Sequence, residues 1–127
     1  MRNLLPALFL LLSLPASAMR VAKFTVPPGV LSVTSSDVFT TPIQFQQDYG
    51  YSVQCVWTGG AIAGTIQLED TIDGTNYDVI TGTAQTVSGP GHFTWNVAAA
   101  NYDKFQVHFV YGSGSGTLIC TAETKGP

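Results

Sequence analysis

Large apolar and small polar residues alternate through most of this chain. In "YSVQCVW", Tyr51, Val53, Cys55 and Trp57 share one side of an extended backbone. Ile66 and Leu68 do so in "GTIQLED", and Phe93, Trp95 and Val97 in "HFTWNV". Phe105, Val107, Phe109 and Tyr111 line one side of "FQVHFVY"; Leu118, Cys120 and Ala122 line one side of "TLICTAE". Period two with one apolar side marks antiparallel strands that each pack by a single face. No segment has the helical period.

The earlier runs are weaker. "RVAKFTV" and "VLSVTSS" are predicted as two strands on either side of Pro27-Pro28-Gly29. "VFTTPIQF" contains Pro42, which removes a ladder donor and confines that run to an edge or a bulge. The pattern predicts an all-β fold, a single antiparallel β-sandwich of jelly-roll-like type with about eight short strands. An immunoglobulin arrangement does not fit, because Trp57 follows Cys55 by two residues instead of lying on the next strand. No linker or repeat divides the chain, and 127 residues suffice for one domain.

The first residues lie outside this pattern. Arg2 precedes an apolar run from Leu4 to Leu14, and Ala16-Ser17-Ala18 places small residues where a signal peptidase reads. The run is shorter than the roughly 20 residues of a membrane span. Residues 1–18 are therefore expected to be a cleaved secretion signal or a retained hydrophobic leader, with the β-sandwich in 19–127. Contact with a membrane is expected only through an uncleaved leader.

Composition narrows the function. Charged residues make up 10% of the chain, less than half the usual share. The surface must be covered by Thr, Ser, Gln, Asn and Gly, which suits an extracellular or assembly protein. The formal net charge is −3, with no basic patch to hold phosphates, so nucleic-acid binding is excluded. Cys55 and Cys120 both point inward by the alternation. In an oxidising compartment they form a disulfide between the sheets or between adjacent strands; otherwise they are two buried thiols. A bridge over their separation of 65 residues stabilises by about 4 kcal/mol on the chain-entropy model.

Candidate sites are few. "LEDTIDGTNYDVI" gathers Asp70, Asp73, Asn76 and Asp78, a loose oxygen set for calcium. Counted from Asp70, position 3 is Ile72, position 5 is Gly74 and position 6 is Thr75, which fails the EF-hand pattern. Asp73-Gly74 otherwise reads as a hairpin tip. "YGSGSGTL" reads as a second hairpin connection, lacking the Lys of a phosphate loop. Tyr49, Tyr77 and Tyr102 lie near turn signals, where they either stack on sugar rings or cap an end of the sandwich. His92 and His108 fall on strand faces opposite the aromatics, hence outward, without a Ser, Cys or carboxylate partner nearby in sequence. The pattern points away from an enzyme and calls for no cofactor.

From Tyr51 to Gly126 the chain resembles small β-rich proteins of tailed bacteriophages and prophages. The matching stretches, in the group's order, are "YSVQCVWTG", "GTIQL", "DGTNY", "TWNV", "FVYGSGSGTL" and "TKG". The resemblance implies a small virion-associated or secreted β-sandwich without known catalysis. The chain departs from the group at Thr71-Ile72, where Ser-Asn is usual, and at Gln106, where Arg is usual. A weaker resemblance, on "DGTNY" alone, is to discoidin-type carbohydrate-binding modules. The expectation is a non-enzymatic virion structural protein, a capsid decoration or tail- or fibre-associated module, whose partners are other virion proteins or copies of itself. The alternative is a secreted or periplasmic carbohydrate-binding or adhesion module with a cell-surface glycan as partner.

Overall fold

The computed structural model describes residues 21–44, 50–98 and 103–125. The expected leader, Tyr49 and Tyr102 lie outside these residues. Ten strands follow one another among these residues: β1 (Val21–Val33), β2 (Val38–Phe39), β3 (Ile43–Gln44), β4 (Tyr51–Thr58), β5 (Ala63–Thr71), β6 (Asp78–Val79), β7 (Gln85–Ser88), β8 (Gly91–Val97), β9 (Lys104–Ser113) and β10 (Gly116–Lys125).

The strands form two sheets. The first runs β1-β10-β4-β8; the second runs β2-β9-β5-β6, with β3 also on β9 and β7 also on β5. Every pairing is antiparallel. Taken together, β2 and β3 make one interrupted edge strand, and β6 and β7 make the other. Two four-stranded sheets result, with the chain crossing repeatedly between them. This is the jelly-roll form of the β-sandwich. Pro42 sits at the break between β2 and β3, on the edge where a missing N–H is tolerated.

Period two becomes two inner faces. Val53, Cys55, Trp57, Trp95, Leu118, Cys120 and Ala122 from the first sheet meet Ile66, Leu68, Phe105, Val107 and Phe109 from the second, all buried. Full burial of each large side chain contributes about 1.5–3 kcal/mol. Tyr51 stacks on Phe105 with ring centres 4.2 Å apart, tying β4 to β9. The indole N–H groups stay satisfied: Trp57 donates to the Gly89 carbonyl (3.0 Å) and Trp95 to the Thr83 carbonyl (2.8 Å).

Two expectations are corrected. Val21 to Val33 is one strand, not two. It pairs with β10 at both ends, from Val21 opposite Lys125 to Val33 opposite Gly116, and Pro27-Pro28-Gly29 forms an irregularity between Thr25 and Val30. Nor is "YGSGSGTL" a hairpin, because β9 and β10 belong to different sheets. Its glycines turn a corner of the sandwich against the β4–β5 connection. Gly114 has φ +76°, and a Cβ there would overlap the Ala61 carbonyl.

Cys55 and Cys120 are joined by a disulfide. They lie opposite each other on β4 and β10, so the bridge links neighbouring strands within one sheet.

Candidate functional site

The outer face of the second sheet holds a polar cluster around His108 on β9. Its Nδ1 lies 2.6 Å from Glu69 Oε2 on β5, and its Nε2 lies 2.9 Å from Asp37 Oδ2 just before β2. Gln106 donates its amide to Glu69 Oε1 (2.9 Å), and Gln67 donates to Glu69 Oε2 (2.9 Å). The Tyr111 backbone N–H donates to Asp37 Oδ1 (2.8 Å). Phe39 covers the imidazole, with ring centres 4.1 Å apart.

Donors hold both acids ionised. The Tyr111 N–H, followed by His108, keeps Asp37 below its ordinary carboxylate range. Burial pushes Glu69 up, but hydrogen bonds from His108, Gln106 and Gln67 outweigh it, and Glu69 also lies below its ordinary value. The cluster is poorly suited to catalysis. Each ring nitrogen already faces a carboxylate, so neither is free to take a proton from a nucleophile. The two acids lie on opposite nitrogens and cannot share one metal ion with the ring.

His108 is thus outward, as the alternation predicts, but it is not solitary. Its partners lie 71 and 39 residues away in the chain, so no local motif announces them. The only sequence signal is the period: Gln67 and Glu69 fall on the outward side of β5, as Gln106 and His108 do on β9.

The β5–β6 connection is a hairpin tip, as Asp73-Gly74 predicts. Asp73 Oδ1 accepts the N–H groups of Thr75 and Asn76 (both 2.8 Å) and the Thr71 hydroxyl (3.1 Å); Oδ2 accepts the Asn76 amide (2.6 Å). These donors hold Asp73 far below the ordinary carboxylate range. Its oxygens serve the loop's own donors, and Asn76 turns its amide nitrogen toward Asp73. Asp70 and Asp78 face each other across β5 and β6; burial first, and then Asp78, pushes Asp70 up. The four candidate calcium ligands are therefore not gathered around one point. Among the described residues no group of three or more His, Cys, Asp or Glu is placed to hold a metal ion.

Tyr77 is partly buried at the same tip. Burial, followed by the charges of Asp103 and Asp73, raises its phenol above the ordinary value.

The first sheet's outer face is different. Val30 lies opposite Ile119, Ile119 opposite Val56, and Val56 opposite His92, so one row crosses all four strands. Its aliphatic members are exposed: Val30 59%, Ile119 41% and Val56 45%. Ser32, Thr117 and Thr58 flank the row on one side; Thr25, Thr121, Gln54 and Thr94 flank it on the other. A depression of about 190 Å³ is lined by Lys23, Ser52, Gln54, Thr94, Thr121 and Glu123. Acids divide unequally. Asp37, Glu69, Asp70, Asp73, Asp78 and Asp103 belong to the second sheet and its connections, whereas Glu123 on the first sheet lies opposite Lys23.

No protein-family model matches the chain, and no curated protein matches it in sequence. Solved structures do. One is the SPBc2 prophage-derived protein YomS, 12% identical, with a TM-score of 0.55 over 84% of this chain and 96% of that one. The fold is shared with a prophage protein. The sequence resemblance to small phage β-proteins is met at that level. Fainter likenesses are to the N-terminal cellulose-binding domain of Cellulomonas fimi β-1,4-glucanase C (14% identical, TM-score 0.46, 83% of this chain and 86% of that one) and to PirA (18% identical, TM-score 0.43, 87% and 98%).

Proposed function

We propose that this chain is a non-enzymatic structural protein of a phage particle, a capsid decoration or tail- or fibre-associated module that works by surface packing. The observation that carries the reading is the division of the surface. Among the described residues, one sheet presents an aliphatic row between hydroxyl rows with Lys23 and Glu123 as an opposed pair; the other, with its connections, carries the remaining acids and Lys104. A face poor in charge with contiguous exposed apolar side chains suits protein contact. The shared fold with YomS and the phage-like sequence stretches support the same reading. Mass spectrometry of gradient-purified particles from the source is expected to find the chain in many copies; its absence from them would refute the proposal.

A secreted carbohydrate-binding or adhesion module is the second reading. The depression on the first sheet favours it, because Ser52, Gln54, Thr94 and Thr121 offer the donors and acceptors that sugars use. It stands second because no aromatic ring among the described residues lines that depression, and Trp95, in the groove beside β8, is only 5% exposed. A glycan array with hits that Gln54→Ala removes would put this reading first.

A further inference from the structure

The first sheet's outer face fits itself. Resting on the reading that the chain acts by surface packing, we propose that a second copy of this chain packs on the first sheet's outer face, related by a two-fold axis along the Val30–Ile119–Val56 row. That axis lays the aliphatic row on its own counterpart and sets the two copies of His92 side by side at the β8 end of the row. It also turns the Ser32–Thr117–Thr58 row of one copy over the Thr25–Thr121–Gln54–Thr94 row of the other. Hydroxyls both donate and accept, and the Gln amide does both, so the two rows satisfy each other without burying a lone donor or acceptor. Lys23 and Glu123 lie beyond the Thr25 row and stay at the rim, where water keeps them solvated.

Charge selects this face over the other. Packing through the second sheet would bring together two copies of Asp37 and of the acids at the β5–β6 tip, which Lys104 beside Gly74 offsets only in part, and like charges across an interface oppose association. Packing through the first sheet leaves those acids on the two far sides of the pair.

Size sets the strength. Four strands at about 4.8 Å, over about 20 Å of strand length, give roughly 400 Å² per copy and 800 Å² in total. Stable pairs bury about 1,200–2,000 Å². Below that size the contact is weak between free molecules; we place its Kd on the order of 0.1–1 mM, so that it takes effect where many copies are held side by side.

The test follows backbone amide resonances of the full-length expressed protein from about 20 µM to about 1 mM, a range that brackets the expected Kd. Outward residues of β1, β4, β8 and β10 are expected to shift with concentration. Ile119→Lys sets a charge in the middle of the row and is expected to reduce the shift at least about tenfold, with the thermal midpoint moved by less than about 2 °C. Ile72→Lys, at a side chain 79% exposed on the β5–β6 connection, is the control and leaves association intact. Resonances that do not move over the range, shifts centred on the second sheet, or association that survives Ile119→Lys would each overturn the proposal. The two readings fail separately. A chain that stays monomeric yet is abundant in particles sinks the self-contact alone; one that self-associates yet is missing from particles sinks the virion reading alone.

Discussion

His108 sits between two carboxylates, and the cost of disturbing it falls mainly on Glu69. Glu69 is 7% exposed and accepts from His108, Gln106 and Gln67. Glu69→Ala strands these donors, and hydrogen bonds to a charged acceptor are worth about 1.5–3 kcal/mol. The unfolding free energy at pH 7 is expected to fall by about 2–3 kcal/mol in a urea titration. The sign with pH follows from the direction of the shifts. Asp37 and Glu69 are both depressed in the fold, so their stabilisation is full above the unfolded carboxylate values and is lost as pH falls through the folded ones. The thermal midpoint is expected to drop below about pH 4, less steeply in an Asp37→Asn/Glu69→Gln double variant. Asp70 runs the other way. Its carboxyl is raised, so its charge opposes folding at neutral pH and the penalty lifts on acidification. Asp70→Asn is expected to raise the midpoint at pH 7 and to lose that gain in acid. None of this cluster was legible as a site in the sequence. Alternation places His108 outward, but only the pairing of β5 with β9, and the return of the chain through Asp37, gives it partners.

At the scale of elements, the strands with one buried face were legible and the corners were not. In β4, β8, β9 and β10 the large side chains meet the opposite sheet, so burial writes itself into the sequence with period two. Pro27-Pro28-Gly29 reads as a loop because its residues favour turns, yet β10 is long enough to hold Val21–Thr25 and Val30–Val33 on either side of it. "GSGSG" reads as a hairpin because glycine serves a tight turn and a close backbone approach equally well. The second role makes a prediction. Gly114→Ala forces a Cβ against the Ala61 carbonyl at positive φ, and is expected to cost about 2–4 kcal/mol in denaturant unfolding. The cysteines make another. Their bridge joins strands from distant parts of the chain, so replacing both Cys55 and Cys120 by Ala is expected to lower the unfolding free energy by about 4 kcal/mol.

At the scale of the whole molecule, the two sheets are chemically unlike on the outside and alike on the inside. The division follows from pairing, which sets Thr, Ser and Gln side by side on β1, β10, β4 and β8 and collects the acids around β5 and β9. It was hidden in a composition that simply reads as low in charge, because neighbours on a sheet are far apart in sequence. Another feature governs how the domain can be handled. Val21 and Lys125 lie opposite each other on adjacent strands, so the first and last described residues are only about 5 Å apart between backbones. A short glycine bridge between them, with the chain opened instead at Asp73–Gly74, would preserve every strand pairing while moving the points of attachment to the opposite sheet. Such a circular permutant would let a cargo be mounted on the acidic side.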